Sequence, residues 1–163
     1  MTEQAGTRPA VERVRPPLLL VRLANPVMRR LLASPLHAVA SRQLLLLHFA
    51  GRRTGRRYTV PTGYHDLDGL PSVLTNSGWR HNFRGGADIE VTLRGRRRPA
   101  RATLVEDPET VATAYQGVID RLGWRAAQRR LGIRVNTGRA PTREELTEAI
   151  QRSRLSIVRL DLP

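Results

Sequence analysis

Residues 51–57 read Gly-Arg-Arg-Thr-Gly-Arg-Arg and follow directly on an apolar run. Arg52, Arg53, Arg56 and Arg57 thus crowd into one short stretch. Each guanidinium is a planar fork that grips phosphate or carboxylate with two bonds. Gly51 and Gly55 allow a tight connection, and such a turn can aim successive backbone N–H groups at one point. Thr54 adds a hydroxyl donor. The chemistry these residues suit is the holding of an anion. A solvated, charged hairpin tip is the alternative reading of the same composition.

A second constellation lies at residues 75–83, Thr-Asn-Ser-Gly-Trp-Arg-His-Asn-Phe. Asn76, Ser77 and Gly78 mark a turn after a strand. Trp79 and Asn82, three positions apart, face the same way on one helical turn. Together they offer a flat aromatic wall with an amide beside it, or else a core tryptophan with a capping asparagine.

Other chemistries are poorly served. The four histidines, His37, His48, His65 and His81, are not paired at metal-ligand spacing, and no metal site is expected. There is no cysteine, which removes disulfides, thiol nucleophiles and thiolate-bound zinc, and fits a reducing, cytoplasmic compartment. Neither a nucleophile elbow nor a phosphate-binding P-loop pattern is present. An enzyme built on this chain needs a cofactor to bring the chemistry.

The elements that must position these residues follow from periodicity. Residues 43–49 read as a buried strand and 56–67 as a second strand, with Pro61 pointing to an edge or bulge. Asp68-Gly69 turns the chain into a strand at 70–76. Residues 77–88 read as a loop with one helical turn. Two further strands form a hairpin around Gly95. Asp107-Pro108 opens a helix through about residue 122, and a short helix covers 124–132. Thr142 and Glu145 mark a capping box ahead of the last helix. An alternating strand at 155–162 closes the chain. Six mostly antiparallel strands with late helices predict an α+β fold containing a small barrel.

Residues 1–16 are polar, rich in proline and charge, and expected to be mobile. In residues 17–40, Arg22, Asn25 and Arg29 fall on one helical face, and Leu20, Leu23, Val27 and Leu31 on the other. This segment reads as a helix packed on the barrel or as a basic amphipathic element lying on an anionic membrane. The expected division is therefore residues 1–40 as an N-terminal segment and 41–163 as one barrel domain. The start lacks signal-peptide order, and no uncharged apolar stretch is long enough to span a bilayer.

The chain has 163 residues and a formal net charge of +14, and all 28 of its basic residues are arginine. Such a charge points to anionic partners: nucleic acid, a membrane surface or a polyanionic small molecule. Aromatic residues make up only 4% of the chain, so stacking platforms for single-stranded nucleic acid are scarce. A nucleic-acid partner is the less favoured of the three.

The ordered pair of segments, an apolar strand running into Gly51-Arg52-Arg53-Thr54-Gly55, then Pro61, then Trp79 and Asn82, resembles the deazaflavin-dependent nitroreductase family. These are reductases using coenzyme F420 within the split β-barrel superfamily of flavin-binding proteins. The resemblance covers about residues 40–106 and implies a split β-barrel. It implies that Arg52, Arg53, Thr54, Gly55, Arg56, Arg57 and Pro61 lie around the coenzyme's anionic tail. Asn76, Ser77, Gly78, Trp79 and Asn82 would then lie near its ring. Where the family often carries a basic residue, three positions after Gly55, this chain has Tyr58. The implied activity is hydride transfer to a small apolar quinone or nitroaromatic. Backbone N–H groups at Ser77 and Gly78 are candidates for stabilising the acceptor, and Tyr115 for donating a proton. Binding of FMN or haem is the alternative within the superfamily, and a homodimer is compatible with either.

Overall fold

The segment Leu44–Ala50 (β2) is a continuous apolar run broken only by His48, and Leu45 to Leu47 are all buried. Leu45, Leu47 and Phe49 point to one face and are buried, while His48 points to the other. In this computed structural model, residues 8–14, 26, 30 and 44–163 are described. The expectations for residues 17–40 therefore lie outside the described residues, apart from Pro26 and Arg30, which are helical and exposed.

β2 pairs with Arg57–Gly63 (β3) on one side and with Ala87–Leu93 (β6) on the other. The remaining strands of this sheet are His65–Leu67 (β4), Leu70–Thr75 (β5), Arg96–Val105 (β7) and Ser156–Asp161 (β9). Their order is β3-β2-β6-β7-β9-β5-β4, and every pairing is antiparallel. The two outermost strands, β3 and β4, are joined through the single residue Tyr64. A sheet whose two edges are consecutive in the chain has to curl, and this one forms a half-barrel.

The register builds the core line by line. Leu47 faces Val91, Ile89 faces Ala100, Ala102 faces Leu160, and Val73 faces Val158. All of these side chains are buried in one apolar cluster with Phe49 and Phe83. Pro61 lies on β3 opposite Leu46. β3 is an edge strand, so proline's missing N–H breaks no ladder on its open side. The hairpins turn at Asp68-Gly69 and Arg94-Gly95, whose positive φ angles match the two-residue turns that follow strand twist.

The chain falls into two compact units: Pro16–Asp107 with Ser156–Pro163, and Met1–Arg15 with Pro108–Leu155. The second unit holds helices Pro108–Leu122 (α1), Trp124–Leu131 (α2) and Arg143–Ser153 (α3). It also holds a two-stranded sheet of Val11–Arg13 (β1) and Ile133–Val135 (β8). Its core takes Val111, Tyr115, Val118 and Ile119 from α1, Ala127 and Leu131 from α2, and Leu146 and Ile150 from α3. Thr142 and Glu145 form the reciprocal capping box at the start of α3. Gly132 ends α2 at φ 61°, and an added Cβ there would lie 2.6 Å from the Arg13 guanidinium.

Two sequence expectations change here. Residues 11–13 form a strand with Val11 buried, because β8 supplies a partner too short to stand out by periodicity. The single strand expected at 56–67 breaks at Tyr64 into β3 and β4, which raises the main sheet to seven strands.

Candidate functional site

Phe49 is the centre of the site. Its position on the inner face of β2 sets it opposite Tyr58 of β3, with ring centroids 5.5 Å apart and planes at 25°. Phe83 meets it edge-on at 5.1 Å, and Trp79 lies 6.3 Å away. Trp79 and Phe83 belong to the 3₁₀ helix Gly78–Phe83. In that helix type, positions three apart lie one above the other, so Trp79 and Asn82 fall on one side. The outcome is a cleft of ≈ 390 Å³ lined by Phe49, Gly51, Arg53, Thr54, Tyr58, Gly78, Trp79 and Asn82. Both sequence segments reach it.

One hydrogen bond holds the two segments together. The backbone N–H of Arg52 donates to Asn82 Oδ1 at 2.8 Å, and Asn82 Nδ2 donates to the Trp79 carbonyl at 2.8 Å. The Arg52 side chain donates from Nη1 to the Arg84 carbonyl at 3.1 Å. Arg84 in turn forms a two-bond ion pair with Glu106, both bonds 2.9 Å long. The hydrogen bond and charge of Arg84 hold the Glu106 carboxyl below its ordinary range.

The four arginines therefore divide among different tasks. Arg52 is a strut between the segments. Arg53 lines the cleft and makes no hydrogen bond or ion pair among the described residues. Arg56 places its guanidinium 5.7 Å from the centre of the Tyr58 ring. Arg57 pairs with Ala50 on the opposite face of the sheet, as the two-residue period of β3 requires. Pro61 lies on that opposite face too. The structure thus places Arg57 and Pro61 away from the cleft.

The backbone nest expected of the two glycines is largely closed by internal bonds. Gly51 N–H donates to the Arg56 carbonyl, Gly55 N–H to the Gly51 carbonyl, and Arg56 N–H to Thr54 Oγ1. With Arg52 N–H held by Asn82, the Arg53 guanidinium rather than a ring of amides is the donor left open in the cleft among the described residues. Gly55 sits at φ 66°, the left-handed conformation that makes this tight turn possible.

Ser77 is exposed, and its N–H donates to Thr75 Oγ1 at 3.0 Å. That amide is engaged and points away from the acceptor-stabilising task suggested for it. Asn76 and Ser77 instead offer their carbonyls to Arg80 Nη1, at 2.7 and 3.0 Å. Arg80 is only 5% exposed, and its Nε also donates to Ser156 Oγ of β9. Of the turn residues, Gly78 alone lines the cleft. Tyr115 lies in the helical unit, 1% exposed, and its hydroxyl has no hydrogen-bond partner among the described residues. Burial pushes its pKa up to about 12. It is a core side chain, not one presented at a surface for proton transfer.

Sequence reasoning missed the site roles of Phe49 and Tyr58 and the anchoring by Arg80. The first two were accessible in principle, since strand pairing across Gly51–Arg56 sets Phe49 opposite Tyr58. Arg80 carried no such signal, because an arginine in a polar loop looks solvated until Ser156 arrives from the far end of the chain. No group of histidine, aspartate and glutamate suited to a metal ion occurs among the described residues. No helix among them is long and apolar enough to cross a membrane.

No protein-family model matches the chain, and no curated protein matches it. Among solved structures, it is similar to a conserved hypothetical protein from Mycobacterium tuberculosis. The identity is 18%, the TM-score 0.41, and the match covers 77% of this chain and 78% of the other.

Proposed function

We propose that the cleft binds a planar cofactor of the deazaflavin F420 class. The chain would then work as an oxidoreductase passing hydride to a small apolar acceptor such as a quinone or nitroaromatic. The observation that carries this reading is the joining of the two segments into one cleft, with an aromatic wall at one side and Arg53 at the other. A volume of ≈ 390 Å³ falls within the range of small-molecule sites. Gly78 adds to the fit, since a Cβ built there meets nothing within 4 Å and a ring can approach the backbone.

The cofactor supplies the hydride; the protein supplies position and surroundings. Phe49, Tyr58 and Trp79 present flat faces that fix the plane of a bound ring. Arg53 and Thr54 hold the anionic tail, with Arg56 close by over Tyr58. The Arg52–Asn82 bond keeps these two sets of groups in register, which is where positioning contributes most. Tyr58 is 39% exposed, so solvent reaching this side of the cleft would supply the proton for the reduced acceptor.

Titrating the purified chain with F420, FMN and FAD tests the reading. F420 should bind at least about tenfold more tightly than FMN, a difference of about 1.4 kcal/mol. Equal or reversed affinities would move the site to flavin binding.

A further inference from the structure

The helical unit shares its charges unevenly. Arg139, Arg143 and Arg152 are each ion-paired, with Glu145, Glu109 and Glu148. By contrast, Arg121, Arg125, Arg129, Arg130 and Arg134 have no ion-pair partner among the described residues. Asp120, adjacent in sequence, accepts a hydrogen bond from Gln116 instead. Ala127 and Leu131 bury the inner side of α2, which fixes Arg125 and Arg129 outward at a spacing where like charges repel. Arg134 follows on β8. A partner bringing negative charge relieves that repulsion.

The same unit exposes apolar groups that a purely electrostatic contact would not need. Val14 is 40% exposed and Leu122 is 44% exposed. Trp124 is half-buried, with the Arg125 guanidinium 4.7 Å from its ring centre. Val14 and Ile133 line a shallow cleft of ≈ 440 Å³ together with Arg125, Arg129 and Arg134. Nucleic-acid phosphates would satisfy the arginines and leave Val14 and Leu122 in water. An anionic bilayer offers phosphates and, just beneath them, an apolar layer.

We propose that the α2–β8 face docks the chain on an anionic lipid bilayer, with Arg125, Arg129 and Arg134 on lipid phosphates and Val14, Leu122 and Trp124 at the headgroup boundary. The proposal is independent of the cofactor reading, since it concerns other residues and needs no ligand in the cleft.

The test is cosedimentation of the full chain with vesicles of phosphatidylglycerol in phosphatidylcholine, against phosphatidylcholine alone. Replacing Arg125, Arg129 and Arg134 by Gln should weaken partitioning roughly a hundredfold, a factor of about five for each charge near the surface. Replacing Arg94, Arg96 and Arg98 by Gln removes the same charge from the β6–β7 turn and should change it by less than about fivefold. Val14→Ser with Leu122→Ser should reduce the binding that survives added salt. Thermal melts establish that each variant is folded. In a Trp79→Phe chain, Trp124 is the one remaining tryptophan of two, and bromine-labelled lipids should quench it. Equal losses from the two arginine triples, or absent quenching, would overturn the proposal. So would insensitivity to the Val14 and Leu122 changes combined with full displacement by duplex DNA.

Discussion

The amide of Arg52 and the side-chain oxygen of Asn82 meet at 2.8 Å across 30 residues of sequence. Because Asn82 also donates to the Trp79 carbonyl, one side chain sets both the arginine turn and the aromatic wall. Asn82→Ala should cost only about 1 kcal/mol of stability, as an exposed hydrogen bond does. Its effect on the cleft should be larger, because the two halves lose their register. The expected outcome is a small shift in the denaturation midpoint with at least about a tenfold loss of F420 affinity. Proportionate losses in both would show that the bond is only a stabilising contact.

Arg53 and Arg57 separate a site residue from a charge on the wrong face. Losing a charge-assisted bond costs about 1.5–3 kcal/mol, roughly ten- to a hundredfold in affinity. Arg53→Ala should weaken F420 binding by that amount, with added salt narrowing the difference. It should matter far less for a tail-less deazaflavin fragment. Arg57→Ala removes the same charge from the other face of β3 and should leave both affinities within about twofold. Trp79→Ala should impair whole coenzyme and fragment alike.

Tyr115 allows a test of the excluded proton donor. Its buried hydroxyl has no partner among the described residues, and a buried unsatisfied group costs about 1–3 kcal/mol. Tyr115→Phe removes it while keeping the ring. Urea denaturation should show unchanged or increased stability, and any reductase turnover should be unaltered. A large drop in turnover with stability intact would return Tyr115 to the chemistry.

His48 should make stability depend on pH. It lies on the outer face of β2, with Nδ1 3.2 Å from Thr59 Oγ1 and Nε2 2.8 Å from Thr92 Oγ1. Burial lowers its pKa from 6.5, and the Arg97 charge lowers it further. The unfolded chain therefore takes up the proton first as pH falls. The stabilisation is complete above 6.5 and declines as pH drops through that value toward the folded pKa. Denaturation midpoints measured across this range should fall for the native chain and stay flatter for His48→Gln. Parallel curves would place the titration elsewhere.

Much of the fold was legible because its signals are local. The apolar run within residues 43–49, the Asp68-Gly69 turn, the Thr142–Glu145 box and the proline opening α1 all act within a few residues. Each fixes its own element almost regardless of context. The break at Tyr64 was not legible, because it follows from closing the sheet: β3 must stay beside β2 while β4 crosses to β5. The strand Val11–Arg13 depends on β8, more than a hundred residues away, and no local pattern could announce it.

For the site, the sequence by itself determined the inventory: a turn rich in arginine and glycine, and a tryptophan three positions before an asparagine. Tertiary structure alone decided how that inventory is divided. The turn leaves Arg53 in the cleft, and the register of β3 that begins after it puts Tyr58 on the inner face and so sends its neighbour Arg57 to the other. Folding also closed the backbone amides of Gly51, Arg52, Gly55 and Arg56 within the turn and its Asn82 clamp, and buried Tyr115 in another unit. Residue type specifies which bonds a side chain can make; which of them remain open for a ligand depends on the neighbours that folding delivers.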